Sequence, residues 1–112
     1  MVKMKAGQKV TGGSIATSDP AVYCEMANAG YDFTWTEMQH NPHTWADAVK
    51  MWSACPHAKA VPGARIPSAN EFDEQHAVDG GALVVVVPTV RSLEEATLAR
   101  NWAFWPPLGH DG

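Results

Sequence analysis

The chain has 112 residues, a length that fits one small domain with enough apolar content for a core. Its formal net charge of −4 and its pI near 5.6 argue against a nucleic-acid partner or an anionic membrane surface, because both favour a basic face. The longest apolar run, "ALVVVVP", is far too short to span a membrane. We therefore expect a globular domain with neither kind of partner.

Two cysteines, Cys24 and Cys55, are too few and too far apart in sequence to indicate a disulfide framework. The N-terminal segment "MVKMKAGQKVTGG" is basic but lacks the apolar stretch of a secretory signal. These features predict reduced thiols and a cytoplasmic location.

Strand-like and helix-like segments alternate along the chain. Residues 9–17 predict a strand, and Ser18 or Asp19 can cap a helix over 19–29. The aromatic and β-branched residues of 31–38 predict a second strand.

The middle of the chain repeats this pattern. Thr44 caps a helix predicted over 44–55, and a third strand is predicted over 58–66. The next helix is predicted over 68–79, and Ser68 stands three residues before a glutamate, which is the spacing of a capping box.

The clearest strand is predicted over 82–90, where four consecutive valines place apolar side chains on both faces. Such a strand is buried on both sides, as in a parallel sheet covered by helices. Ser92 then caps a helix predicted over 92–104, with two glutamates in its first turn, where the helix dipole favours them.

Four successive βα units predict an α/β fold with a parallel sheet and right-handed crossovers. Two architectures fit: a small open doubly wound sheet, or about half of a (β/α)8 barrel, which in full needs roughly 250 residues. No linker divides the chain, so residues 1–112 are predicted to form a single domain.

Polar residues follow the predicted strands at their carboxyl ends, the functional edge of both architectures. They are Glu37, Gln39 and His40 after the second strand, Arg65 after the third, and Thr89 and Arg91 after the fourth. A histidine there is more often a solvated loop residue than a catalytic one. An arginine there more often pairs with a carboxylate of its own protein than with a ligand. The other histidines show no metal-ligand spacing: His43, His57, His76 and His110.

Four segments match the motifs of a known family. "AGYDFTWTEMQHNP" is similar to "G-[FY]-D…D-x-E-H-x-P", and "GARIP" is similar to "V-R-x-P". "QHAVDGGALVVVVPTV" matches "L-D-x-G-A-x-G-I-x-x-P-x-V", and "EEATLARNWAFWPPLG" matches "E-E-A…A-[KR]-[YF]-P-P-x-G". Over residues 8–109 the chain thus resembles the N-terminal half of the HpcH/HpaI aldolases, which are metal-dependent (class II) pyruvate aldolases on a (β/α)8 barrel.

The resemblance implies roles for three residues. His40 matches the family's catalytic histidine, which moves a proton to or from the aldol hydroxyl, and Asp79 matches the acidic partner that orients it. Arg65 matches the arginine that holds the keto acid and stabilises the enolate. The implied activity is cleavage of 4-hydroxy-2-oxo acids with release of pyruvate.

The sequence also departs from the family pattern. Glu37 and Gln39 stand where the family often has Asp and Glu, which leaves their roles open, and Asp111 stands near the position of a family arginine. The family's metal ligands, a Glu and an Asp, would lie beyond Gly112. The resemblance therefore implies a divalent ion (Mg²⁺, Mn²⁺ or Co²⁺) for the complete enzyme and no metal ligand in this chain.

Three hypotheses follow. In the first, the chain is part of an aldolase that acts on a small 2-oxo acid. In the second, it is a non-catalytic or assembly-dependent half-barrel that closes its open edges by self-association. The third hypothesis is an unrelated doubly wound binding domain, for which the sequence lacks a phosphate loop. Because a half-barrel has open edges, we expect a homo-oligomer.

Overall fold

The computed structural model describes residues 2–111, which contain a four-stranded parallel sheet with the strands in chain order, β1-β2-β3-β4. The strands are β1 (Gly12–Ile15), β2 (Phe33–Glu37), β3 (Gly63–Arg65) and β4 (Val84–Val86). The helices are α1 (Val2–Lys5), α2 (Pro20–Ala27), α3 (Trp45–Ala54), α4 (Glu71–Gly80) and α5 (Leu93–Ala103).

The strand order decides between the two predicted architectures. A doubly wound sheet reverses its order at a switch point, whereas a (β/α)8 barrel adds each strand beside the previous one. All three strand pairs here are parallel and sequential. The prediction of a partial barrel is confirmed, and the doubly wound alternative is wrong.

The observed strands are shorter than the predicted ones, with three to five residues each. Pro62, Pro67 and Pro88 bound β3 and β4, because proline has no N–H to give to a ladder. The short helix α1 was not predicted. Its Lys3 Nζ lies 2.6 Å from Asp32 Oδ1, just before β2.

The predicted helix caps are confirmed for three helices, in which the cap accepts a backbone N–H of the first turn: Asp19, Thr44 and Ser92. The capping box predicted at Ser68 is wrong. Asn70 caps α4 and accepts from the N–H of Asp73, while Ser68 Oγ donates to the Asp73 carboxylate at 3.3 Å. Asparagine is as good an N-cap as serine, so the helix begins later than predicted.

Cys24 of α2 and Cys55, the C-cap of α3, form a disulfide, with 5.5 Å between their Cα atoms. The prediction of reduced thiols is therefore wrong. The cysteines are 31 residues apart, and the packing of α2 against α3, which no local pattern reveals, brings them together. Among residues 2–111, no helix has the length and apolar character needed to cross a membrane.

The core lies between the helices and one face of the sheet. Ile15, Ala64 and Ile66 are buried in it, and the Trp52 indole donates to Thr36 Oγ1 at 3.2 Å. Because side chains alternate along a strand, the intervening residues lie on the opposite face, which in a complete barrel is the interior. They are Phe33, Trp35 and Glu37 on β2, Arg65 on β3, and Val84 and Val86 on β4.

Glu74 of α4 is a carboxyl group buried beneath the helices. The residue is 1% exposed, and its side-chain Oε1 has no hydrogen-bond partner within residues 2–111. Burial raises the pKa of Glu74 from 4.5 to about 7. The folded chain therefore keeps a proton that the unfolded chain releases, so the stability falls as the pH rises from 4.5 to about 7.

We expect Glu74→Gln to raise the free energy of unfolding at about pH 8 by about 3 kcal/mol, because it removes this buried ionisation. Near pH 4.5, where the carboxyl group of the folded chain is neutral, the same substitution should have little effect. Urea denaturation at both pH values measures the difference. An equal effect at the two pH values would contradict the ionisation of Glu74 between them.

Candidate functional site

The carboxyl ends of β2 and β3 place Glu37 beside Arg65. The two residues are register partners in the parallel ladder, and both lie on the face turned away from the helices. The Arg65 guanidinium forms a salt bridge with Glu37 Oε2. Glu37 is buried, and the Arg65 side chain is 33% exposed. The edge of the sheet therefore presents a cation that is anchored on one side and accessible on the other.

The second oxygen of Glu37 holds the loop after β2. Glu37 Oε1 accepts from the backbone N–H of Gln39 at 2.8 Å and of His40 at 3.2 Å. His43 Nδ1 lies 2.8 Å from the backbone oxygen of Glu37. One carboxylate thus joins Arg65 to the segment that carries His40.

These contacts keep Glu37 ionised. Burial alone would raise the pKa of Glu37, but the hydrogen bond from Arg65 and those from the two backbone N–H groups lower it below its ordinary value of 4.5. Because the folded-state pKa is lowered, the stability that Glu37 contributes is present above pH 4.5 and lost as the pH falls through the folded value.

We expect Glu37→Ala to lower the free energy of unfolding at neutral pH by about 3 kcal/mol, because it leaves Arg65 and two N–H groups without their acceptor. Glu37→Gln keeps an oxygen for the N–H groups and should cost about half as much. Urea denaturation measures both. Glu25→Ala, at an exposed position of α2, is the control; a Glu37→Ala effect no larger than this control would show that the cluster contributes no stability.

The structure brings two of the three predicted site residues together. His40 is exposed at the same edge as Arg65, and its backbone binds the same carboxylate. Asp79 is the next-to-last residue of α4, which starts after β3 and returns to the beginning of β4. Asp79 therefore lies toward the amino ends of the strands and is not brought to His40. Its orienting role stays a prediction.

The unsatisfied part of Arg65 indicates what the edge can bind. Its Nε is buried and has no hydrogen-bond partner in the described part of the chain. A buried donor without an acceptor is costly, and a guanidinium binds planar oxyanions through paired N–H groups. The Arg65 side chain is partly exposed, so a carboxylate can reach its open part, whereas Nε itself is closed to solvent.

The same edge does not form a metal site. Within residues 2–111, no group of three or more His, Cys, Asp or Glu side chains is placed to hold a metal ion. Glu37, the buried carboxylate at this edge, is already bound by Arg65 and two N–H groups. The described residues therefore do not fit the divalent ion that the family implies.

Comparison with known proteins shows which proteins the chain is similar to. No protein-family model matches it. A hydroxypyruvate/pyruvate aldolase of Paraburkholderia phytofirmans is 29% identical over 86 residues, 75% of this chain and 33% of that protein. A 4-hydroxy-4-methyl-2-oxoglutarate aldolase of Chaetomium globosum is 30% identical over 93 residues, 82% of this chain and 35% of that protein. An HpcH/HpaI aldolase structure from Desulfitobacterium hafniense matches at a TM-score of 0.90 and 28% identity, over 99% of this chain and 43% of that one.

The chain is similar in sequence and fold to HpcH/HpaI aldolases. The resemblance predicted from its four motifs is confirmed, and so is the partial barrel. The chain spans about a third of the length of these two curated relatives and less than half of the matched HpcH/HpaI structure.

Proposed function

We propose that this chain supplies the 2-oxo-acid-binding part of a pyruvate-releasing aldolase site. The observation that carries the proposal is the Arg65 guanidinium, which Glu37 fixes at the carboxyl edge of the sheet while its Nε remains unsatisfied within residues 2–111. The substrate class is a 4-hydroxy-2-oxo acid. Relatives named for hydroxypyruvate/pyruvate and for 4-hydroxy-4-methyl-2-oxoglutarate support this class.

In the proposed reaction, the C4 hydroxyl loses its proton, the C3–C4 bond breaks, and the electron pair moves to the C2 carbonyl oxygen. Arg65 binds the carboxylate of the keto acid and places positive charge where the enolate develops. His40 takes the hydroxyl proton, directly or through one water, because it is exposed at the same edge as Arg65. The carbonyl compound formed at C4 leaves, which is a ketone where C4 carries a second carbon substituent and an aldehyde otherwise, and protonation of the enolate at C3 gives pyruvate.

Aldolases of this family are generally metal-dependent, and the ion helps to polarise the keto acid. Because residues 2–111 do not gather a metal site, we propose that the ligands of Mg²⁺, Mn²⁺ or Co²⁺ come from polypeptide outside these residues. Arg65 and His40 act in the same way whichever ion is bound.

The test is pyruvate release from a 4-hydroxy-2-oxo acid, followed through NADH oxidation by lactate dehydrogenase. The chain is assayed alone and together with the complementary half-barrel of the Desulfitobacterium hafniense relative, with a divalent ion or with EDTA. We expect activity that requires the ion and falls at least about a hundredfold in His40→Ala. His57→Ala, at an exposed loop histidine, is the control. Equal rates in His40→Ala and the unsubstituted chain would remove His40 from the mechanism.

One observation favours a second function, that of an assembly-dependent half-barrel. Phe33, Trp35, Val84 and Val86 lie on the sheet face opposite the helices, and β1 and β4 are each paired on one side only in the described structure. Barrels close such edges. A homo-oligomer would cover this face, and light scattering at micromolar concentration tests it; a stable monomer would contradict it.

A further inference from the structure

A cavity of about 300 Å³ lies between α4, α5 and the end of β4. It is on the helical side of the sheet, because Val85 packs there against the core. Sites for small ligands typically have volumes of about 300 to 1,000 Å³, so this cavity suits a small molecule. Most of its lining is aliphatic: Val85, Val87, Val90, Ala96, Ala99 and Ala103.

The cavity exists because α5 presents small side chains to β4. Ala96, Ala99 and Ala103 follow one another at spacings of three and four residues, which places them on one face of the helix. Val85 and Val87 lie opposite this face. Alanine methyl groups leave room beside these valines, and the walls of that room offer contact to a short hydrocarbon chain.

Glu74 is the buried polar group of this lining. The residue is 1% exposed, and its Oε1 has no hydrogen-bond partner within residues 2–111. Neither of the two salt bridges found among those residues includes it. A carboxyl group is almost never fully buried unless it is paired, because burial removes the water that would otherwise bind it. The cavity is the space from which a donor can reach Glu74.

Arg100 is the other charged member of the lining among the described residues, and its guanidinium is engaged elsewhere. Its Nη1 donates to Asn101 Oδ1 at 3.1 Å, and its Cζ lies 5.6 Å from the centre of the Phe104 ring. In the described part of the chain, α4 contributes only Glu74 to the lining, β4 and the residues after it only valines, and α3 nothing. Glu74 therefore sets the charge inside the cavity.

We propose that this cavity binds a primary alkylammonium ion, whose nitrogen donates to Glu74 Oε1 while its carbon chain lies among the valines and alanines. The ammonium group supplies both the missing donor and the opposite charge that a buried carboxylate needs. A guanidinium would bring five N–H donors to a lining in which Glu74 is the one side-chain acceptor among the described residues, so the ammonium group, with three, fits better. Arg65 lies on the opposite face of the sheet, so this site does not depend on the proposed aldolase function.

Two ligands with the same carbon chain, n-butylamine and 1-butanol, test the proposal. At about pH 8, n-butylamine is a cation and Glu74 is mostly ionised, since burial raises the pKa of Glu74 only to about 7. We expect n-butylamine to bind at least about tenfold more tightly than 1-butanol, because a hydrogen bond between charged groups is worth that ratio or more. Titrations followed by the NMR signals of the Val85 and Ala99 methyl groups give both dissociation constants. At about pH 5 the Glu74 carboxyl group is neutral, and the preference should be lost.

Glu74→Gln keeps the shape of the side chain and removes its charge, and we expect the variant to stay folded because it also removes a buried ionisation. It should bind the two ligands with equal affinity. Glu25→Gln, at an exposed position of α2, is the matched control and should keep the preference. Ala96→Leu fills the cavity without changing its charge, so it should weaken the binding of both ligands by a similar factor.

Equal affinities at about pH 8 in the unsubstituted chain would overturn the proposal, and so would a preference that survives Glu74→Gln or a chain that binds neither ligand. Arg100→Gln tests the competing partner within the chain. We expect it to leave the affinity for n-butylamine unchanged. A rise of about tenfold or more in Arg100→Gln would show that Arg100 itself pairs with the ionised Glu74, and the cavity would then not be a ligand site.

Discussion

Replacing Arg65 with Lys is expected to lower kcat/KM for pyruvate release at least about a hundredfold, although the positive charge is kept. In the proposed site the guanidinium serves two partners, because its Nη2 binds Glu37 and its exposed part is open to a ligand carboxylate. A lysine ammonium at the end of a flexible chain cannot hold both in a fixed plane. The lactate dehydrogenase assay with the complementary half-barrel measures the effect.

Arg100→Lys is the matched control for this substitution, because Arg100 lies on the exposed surface of α5. We expect it to leave kcat/KM unchanged. Circular dichroism establishes that both variants are folded. A folded Arg65→Lys protein with unchanged kcat/KM would show that the planar guanidinium is not needed, and the proposed site would be wrong.

The second large effect is expected at the disulfide. Replacing Cys24 and Cys55 together with Ala should lower the free energy of unfolding by about 3 to 4 kcal/mol, because the cross-link restricts the unfolded chain over a 31-residue separation. Urea denaturation measures it. Dithiothreitol should destabilise the unsubstituted chain by a similar amount.

The double variant is its own control for the reductant, since it has no thiol to reduce and should respond little to dithiothreitol. The unsubstituted chain should show no free thiols before reduction and two afterwards. Free thiols in the folded, unreduced chain would contradict the disulfide.

The fold could be predicted because its signals are local. The caps at Asp19, Thr44 and Ser92 and the valines of β4 act within a few residues, and their alternation specifies βα units. The disulfide could not be predicted in this way. The pairing of Cys24 with Cys55 depends on how two helices pack, and neither position differs locally from that of a free thiol.

Only part of the candidate site could be predicted, because some of its contacts depend on tertiary packing. His40 and Arg65 could be placed at the edge because both follow strands, and a carboxylate of the same protein was the expected partner of such an arginine. Three polar residues lie at or just after the carboxyl end of β2, and only the pairing of Glu37 with Arg65 across the ladder identifies the carboxylate that binds the arginine. That register is set by tertiary packing. The position of Asp79, by contrast, follows from its place just before β4.

The central claim is that Arg65 and His40 belong to a site that forms the enolate of a 2-oxo acid. Exchange of the pyruvate methyl protons with D₂O, followed by ¹H NMR, reports that enolate directly. With the complementary half-barrel and a divalent ion present, we predict exchange that is catalysed by the unsubstituted chain and slowed at least about a hundredfold in Arg65→Lys. Exchange no faster than in buffer, or equally fast in both proteins, would contradict the claim.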